Sequence, residues 1–249
     1  MINSKKKRLD VFIVEKGLVE TREKAKALIM SGNVLVDNFP IDKPGYFVKP
    51  DSNIIIKETI PYVSRGGLKL ESAIKHFQIN PSGLICLDVG ASTGGFTDCL
   101  IQHEAKQVFA VDVGYGQIAW KLRQDNRVVT IERTNARYMD PSVLPYPIDL
   151  ITIDVSFISL KIIVPAVEKF LKQNGSILAL IKPQFEVGKG KVGKGGIVRD
   201  KTLHDEVIED LSNFFKNERN LDIVGIMPSP IIGAKGNQEF IINLKKLNP

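Results

Sequence analysis

The sequence predicts an α/β protein: a doubly wound, mostly parallel sheet preceded by a small α+β domain. Three observations carry this. From residue 84 onward, short and almost wholly apolar stretches alternate with helix-like segments, the pattern of parallel strands buried on both faces. A glycine-rich turn, "DVGASTGG" (88–95), directly follows the first of them. Residues 1–67 carry 12 Lys and Arg against 8 acids, whereas the rest is nearly balanced at 22 against 20. A basic N-terminal piece beside a near-neutral body points to a polyanionic partner.

The bulk composition sets limits on class. With 249 residues, 43% of them apolar and 25% charged, there is room for a large and a small domain. No apolar run approaches the ~18 residues of a membrane span. The basic start, "MINSKKKRLD", leads into no apolar stretch of signal type. Cys86 and Cys99, with three histidines, give neither disulfide nor metal-ligand spacing. The expectation is a cytoplasmic, metal-free protein.

The first domain is expected over residues 1–60. A helix places Leu9, Phe12, Ile13 and Lys16 on one stripe and stops at Gly17. Thr21 N-caps a second helix, "REKAKALIM", which carries Arg22, Lys24 and Lys26 and stops at Gly32. Short strands follow at "NVLVD", "PID" and "NIIIK", separated by "DN" and "KPGY" turns. So small a core is marginal, as in appended binding modules. This order resembles the S4-like RNA-binding domain over roughly residues 7–58. The matching residues are Arg8-Leu9-Asp10, Gly17-Leu18, Arg22-Glu23-Lys24-Ala25, Gly32, Val34, Val36 and Pro44-Gly45. The resemblance implies that Arg8, Arg22, Lys24 and Lys26 touch RNA phosphates.

Residues 61–67, "PYVSRGG", are expected as a linker, with Pro61 and Gly66-Gly67 breaking regular structure around Ser64-Arg65. The second domain, 68–249, has strands at "GLICLD", "QVFAVD", "RVVTIE", "IDLITID" and "GSILALIK", with helices between them. The tail segments "LDIVGIMPS" and "QEFIINLK" suit a closing hairpin.

Ligands of open α/β sheets sit at the carboxyl ends of the strands, where the glycine turn falls. A dinucleotide fingerprint wants a second glycine where this chain has Ser92. Asp88 would repel a pyrophosphate but attract a cation, and S-adenosylmethionine carries a sulfonium and an α-ammonium. Asp-x-Gly-x-x-x-Gly resembles the first motif of Rossmann-like methyltransferases. Asp112, closing "VFAVD", lies where an acid takes both ribose hydroxyls, a role that fits NAD as well. The candidate cofactor residues are Asp88, the turn itself (Gly90, Ala91, Ser92, Thr93, Gly94, Gly95 and Phe96), Asp112 and Asn135. S-adenosylmethionine is favoured over NAD.

The methylated atom can be narrowed by residue type. Methylation of cytosine C5 needs a cysteine nucleophile, and none occurs after Cys99. Exocyclic amine chemistry usually carries an Asn/Asp-Pro-Pro-aromatic turn, where this chain reads "DVSF". A hydroxyl needs a group that orients it and relieves its proton. Lys182 ends "ILALIK", Asp154 ends "DLITID", Lys69 lies in the first turn of "LKLESAIKHF", and Glu239 opens "EFIINL". Plainer roles exist: a surface lysine for Lys69, a helix cap for Asp154, a solvated strand end for Glu239. Lys182, directly after five apolar residues, needs a partner.

Lys69, Asp154, Lys182 and Glu239, in that order around "DVGASTGGFT", resemble the Lys-Asp-Lys-Glu set of FtsJ-like ribose 2′-O-methyltransferases. "YVSRGGLKL", "DVSFISL", "IKPQFEVG" and "VGKGGIVRD", behind an S4-like domain, resemble the TlyA family across nearly the whole chain. Members of that family are known both as haemolysins and as rRNA (cytidine-2′-O)-methyltransferases. The resemblance implies methyl transfer from S-adenosylmethionine to a ribose 2′-hydroxyl, with ribosomal RNA or ribosomal subunits as partner. Whether Lys182 accepts the proton or only orients the oxygen stays open.

The segment "EVGKGKVGKGGIVRDK" (186–201) holds five cations against two acids. Lys189, Lys191, Lys194 and Arg199, together with Arg65, are candidates for gripping the RNA backbone. The rival readings are a membrane-active haemolysin, which wants an apolar or amphipathic membrane segment, a pseudouridine synthase, and a non-catalytic RNA-binding protein.

Overall fold

The chain divides into two units, Met1–Ile60 and Pro61–Pro249, in a computed structural model that describes residues 6–30, 32–56, 60–188, 190–193, 195–233 and 236–246. The first unit runs β1 (Lys7–Arg8), α1 (Leu9–Glu15), α2 (Arg22–Met30), β2 (Val34–Val36), β3 (Phe39–Pro40), β4 (Phe47–Val48) and β5 (Ile54–Ile56). Leu9, Phe12 and Ile13 share one face of α1 and are buried against Ala25, Leu28 and Ile29 of α2. Lys16 falls outside the helix and lies over the Phe12 ring, 5.3 Å from its centroid. Gly17 and Gly32 follow the two helices at φ +68° and +72°, the left-handed conformation that ends a helix cheaply only with glycine. The Lys24 amide donates to Thr21 Oγ1 at 3.2 Å, as a cap should. Asp37 and Asn38 both have positive φ, the two-residue turn that matches strand twist, and β2 pairs with β3 and β5 around it. The pairing of β1 with β4 has no signal in the sequence, because each strand is two residues long.

Buried Asp10 organises the basic surface of this unit. Its carboxylate accepts from Arg8 Nε at 3.0 Å and from Arg22 Nε at 2.9 Å. The Arg8 hydrogen bond, followed by Arg22, holds the Asp10 carboxyl below the usual carboxylate range. Two cations named as RNA contacts are therefore also structural, each with its side chain still about half exposed.

The second unit contains α3 (Gly66–His76), β6 (Ile85–Val89), α4 (Gly95–Gln102), β7 (Gln107–Val111), α5 (Trp120–Arg123) and β8 (Val128–Ile131). It continues with β9 (Ile148–Ile153), α6 (Leu160–Val167), β10 (Leu171–Ile181), α7 (Pro183–Glu186), α8 (Lys201–Glu218), β11 (Leu221–Pro228) and β12 (Phe240–Lys246). The sheet order is β11-β12-β10-β9-β6-β7-β8. Every strand runs parallel except β12, which pairs antiparallel with both neighbours and forms the expected hairpin with β11. The sheet's apolar side chains pack on α6 and α8 on one face and on α3 and α4 on the other. β6 is the switch point: β7 and β8 are laid down to one side of it, β9 and β10 to the other.

The expected linker is folded into this second unit. Tyr62 is buried with Leu70 and Phe96, the Val63 amide donates to Asp98 Oδ2 at 2.8 Å, and Gln102 donates to the Pro61 carbonyl. Gly66 and Gly67 open α3 instead of breaking structure, and a Cβ on Gly67 would collide with the Tyr62 ring. Glycine here answers a close approach, which local turn chemistry cannot reveal.

Candidate functional site

The glycine turn is built by its own hydrogen bonds. The Gly90 and Ala91 amides both donate to the Val111 carbonyl at the end of β7, at 2.9 and 3.1 Å. The Ser92 amide donates to Asp112 Oδ2 at 2.8 Å, and the Gly94 amide to the Ala91 carbonyl. Four of the turn's amide donors are thus already committed within the protein. Gly90 has φ +84°, and a Cβ on it would stand 2.8 Å from the Asp154 carbonyl oxygen. Only glycine lets β6 and β9 come this close.

Asp88 corrects an expectation. It sits inside β6, in register with Ala110 and Thr152, and is fully buried. Its oxygens accept from Thr97 Oγ1 at 2.6 Å and Thr152 Oγ1 at 3.0 Å. It lines neither cavity of the site, so it cannot meet a ligand's cation directly. Its carboxylate instead ties β6 to α4 and β9 beneath the turn. Burial pushes its carboxyl up to about 6, against the opposing pull of the two threonine hydrogen bonds.

Two cavities of about 480 and 390 Å³ open at the carboxyl ends of the strands and share Gly90, Ser92, Asp154 and Ser156. The larger is lined by Asp112, Gln117 and Asn135 with the apolar walls Val113, Val155 and Ile158. Asp112 also accepts from the Gly114 amide at 2.7 Å, and Asn135 Oδ1 caps a short 3₁₀ turn by accepting from the Arg137 amide. An acid at a strand end beside apolar walls suits a nucleoside, sugar to the carboxylate and base between the walls. Phe157 stands at this mouth with φ +66°, 89% exposed and 4.9 Å from the Phe185 ring.

The smaller cavity holds the lysines. Lys182, immediately after β10, is 2.6 Å from Asp154 Oδ1, immediately after the neighbouring β9, and donates to Ser156 Oγ at 3.0 Å. This is the partner its apolar approach demands. Asp154 does not cap α6; Ser159 does. Lys69, one turn into α3, is 2.6 Å from Glu239 Oε2 and is largely buried instead of lying on the surface. Glu239 is itself buried and does not line the cavity, which it borders through Lys69 and Gly233. Arg65, Thr93, Gly95 and Phe96 line the same space. Ser64, Ser156 and Gly233, which the sequence analysis did not single out, join them.

The remaining RNA candidates differ in exposure and pairing. Lys24 is exposed near Glu20, Lys26 half-buried, and Arg199 exposed. Lys191 pairs with Glu206 at 2.9 Å on the surface. Lys189 and Lys194 lie outside the described residues. Glu186, counted as an acid of the basic segment, turns inward to accept from Ser159 Oγ and the Leu160 amide at the start of α6. Burial raises its carboxyl above the usual range. Among the described residues no group of three or more His, Cys, Asp or Glu is arranged to hold a metal.

A seven-stranded sheet with one reversed strand, and a glycine turn after the strand at its switch point, defines a Rossmann-like methyltransferase fold. The chain belongs to the FtsJ-like methyltransferase family, matched over residues 62–246, and carries an S4 domain matched over residues 7–54. It is 50% identical, over 98% of this chain and 87% of the relative, to a Bacillus subtilis protein, YqxC, described as a candidate rRNA methyltransferase. The 16S/23S rRNA (cytidine-2′-O)-methyltransferase TlyA of Mycobacterium tuberculosis is 41% identical over 97% of this chain and 91% of its own. Among solved structures, a candidate hemolysin from Streptococcus thermophilus superposes with a TM-score of 0.76 at 44% identity, covering 98% of this chain and 90% of that one.

Proposed function

We propose that this chain transfers a methyl group from S-adenosylmethionine to the ribose 2′-hydroxyl of a cytidine in ribosomal RNA. The observation that carries this is the Lys182–Asp154 pair standing in a cavity that adjoins, through Gly90 and Ser92, one suited to a nucleoside. The S4 domain and the rRNA-modifying relative support an RNA substrate. A cytoplasmic place of action follows from that substrate.

In this reading Asp112 takes the ribose of the cofactor, Asn135 and the apolar walls take its base, and the backbone at Gly90–Gly95 faces its amino-acid end. When bound, S-adenosylmethionine supplies a methyl group already activated on a sulfonium. The protein's task is to aim the acceptor oxygen and relieve its proton. Lys182 enters the crevice as a hydrogen-bond donor fixed by Asp154 and Ser156, and it aims the 2′-oxygen. Lys69, fixed by Glu239, closes the other side of the same space. Arg65 and the basic segment ending at Arg199 hold the RNA backbone, and the S4 domain adds affinity.

The test is incubation of the purified chain with labelled methyl donor and ribosomal RNA or subunits, followed by mapping of the modified residues. A 2′-O-methylcytidine is expected. Methylation on a base, or none with cofactor bound, overturns the reading. The haemolysin reading keeps a name among the relatives, Hemolysin A of Brachyspira hyodysenteriae, 43% identical over 94% of this chain and 98% of its own. No described helix is long and apolar enough to cross a membrane. Leakage of dye-loaded liposomes by the pure chain would favour it.

A further inference from the structure

The basic segment and the Lys69–Glu239 pair are joined by one buried side chain. Asn237, 2% exposed, accepts from the Val198 amide through Oδ1 at 3.0 Å and donates from Nδ2 to the Gly196 carbonyl at 2.9 Å. Its own backbone carbonyl accepts from the Gly233 amide at 2.9 Å. Gly233 in turn lies so close to the Glu239 carboxylate that a Cβ there would collide with it. The Glu239 carbonyl is held from both sides, by the Ser229 amide and by Gln238 Nε2, each at 2.8 Å. From α8, His204 Nε2 completes a clasp by donating to the Val198 carbonyl at 2.9 Å, with its ring edge-on to Phe240, the neighbour of Glu239. Residues 196–198 are therefore fastened on both sides of the Val198 peptide, one residue before exposed Arg199. Of the two fastening side chains, Asn237 precedes Glu239 by two residues and His204 packs on Phe240, the residue after it.

We infer that Asn237 is a positioning residue coupling the Gly196–Arg199 segment to the Lys69–Glu239 pair, so that RNA held on the segment fixes Lys69 for methyl transfer. The inference rests on the proposed reading of the site. The physical argument is that a buried amide with its donor and acceptor both used transmits displacement, because either partner moving alone would leave a buried polar group unsatisfied. A cavity in the same place would transmit nothing.

The experiment compares Asn237→Ala, Asn237→Asp and His204→Phe with the parent chain at a temperature well below each variant's Tm. At saturating rRNA and methyl donor, Asn237→Ala is expected to lower kcat by about 10²-fold, the scale of a small misplacement at a reacting centre. Binding of S-adenosylhomocysteine should stay within about two-fold, since no clasp residue lines the larger cavity. Asn237→Asp keeps the acceptor for Val198, but only its protonated form can still donate to the Gly196 carbonyl, so relative to Asn237→Ala its kcat should recover as pH falls, a signature that a merely destabilising change would not show. Hydrogen exchange should find that rRNA protects residues 237–240 in the parent and not in Asn237→Ala. His204→Phe keeps the ring against Phe240 and loses only the Val198 bond; it is expected to lower kcat in the same direction and serves if Asn237→Ala does not fold. Parent-like kcat in both Asn237→Ala and His204→Phe, or unchanged RNA-dependent protection, overturns the inference. Lys182→Met separates the two failures: if it stays active the site reading is wrong, and if it is inactive while the clasp variants methylate normally, only the coupling is wrong.

Discussion

Lys182 and Asp154 meet at 2.6 Å because their strands are register-locked neighbours, with Ala179 of β10 opposite Ile153 of β9. That register sets Leu180 level with Asp154, so Lys182, two residues further on, makes the contact through the reach of its side chain. Lys182→Met keeps most of the stem's packing and removes the ammonium. Methyl transfer should fall by about 10²-fold, the scale of a lost positioning contact at the reacting oxygen. Cofactor and RNA affinities should change little. Lys182→Arg should also fail, since a planar guanidinium does not occupy the ammonium's place between Asp154 and Ser156. Single-turnover methylation of an rRNA fragment, beside separate binding titrations, reads both.

Asp112 and Asp88 should separate cleanly in cofactor binding. Asp112 lines the larger cavity and should, as Asp112→Ala, weaken S-adenosylhomocysteine by at least about tenfold, the loss of roughly one charge-assisted hydrogen bond. Asp88→Asn, beneath the turn, should leave affinity within a few-fold. Calorimetry distinguishes them, and tighter binding of NAD than of S-adenosylhomocysteine would refute the cofactor assignment.

Asp88 also predicts a pH dependence of stability. A carboxyl whose pKa is higher folded than unfolded binds its proton more tightly in the folded chain. Its contribution is therefore fully present below the ordinary carboxylate range and is lost as pH rises to about 6, then levels off. Asp88→Asn removes this segment of the curve, so the stability difference between the two chains should move in favour of the variant by up to about 3 kcal/mol between pH 4 and pH 8. Thermal unfolding of both chains between pH 4 and pH 8 checks the sign.

In the first unit, the structure decides which cations to change. Reversing Arg22 would set an acid against buried Asp10 and unfold the unit, so it cannot isolate RNA contact. Lys24→Glu with Lys26→Glu spares Asp10. That pair should weaken rRNA binding and flatten its salt dependence, because fewer counterions are released. Cofactor affinity should not change, and unaltered RNA affinity would remove these lysines from the interface.

The polar residues that end parallel strands were legible in the sequence: Asp112, Asp154 and Lys182 each follow an apolar run and reach the crevice. The glycine turn was legible for the same reason. The direction of a side chain was not. Asp88 ends its apolar run too, yet it faces Thr97 of α4 and Thr152 of β9, and nothing local separates it from Asp112. Pairings across long separations were equally silent, as between Lys69 and Glu239, 170 positions apart. Glu186 was read as part of a charged loop because its single partner surface, the start of α6, lies 26 residues upstream.

The reversal of β12 has a kinetic consequence. Because that strand runs against its neighbours, its beginning, and with it Glu239, arrives at the same edge as the ends of the others. The cavity is bounded by residues from Ser64 to Gly233, and Lys69 gains its anchor only after β12 has slotted between β10 and β11. Non-local pairings of this kind are made late and slowly. A refolding chain should therefore regain its central strands before it regains methyl-transfer competence, and activity would mark the last step of assembly.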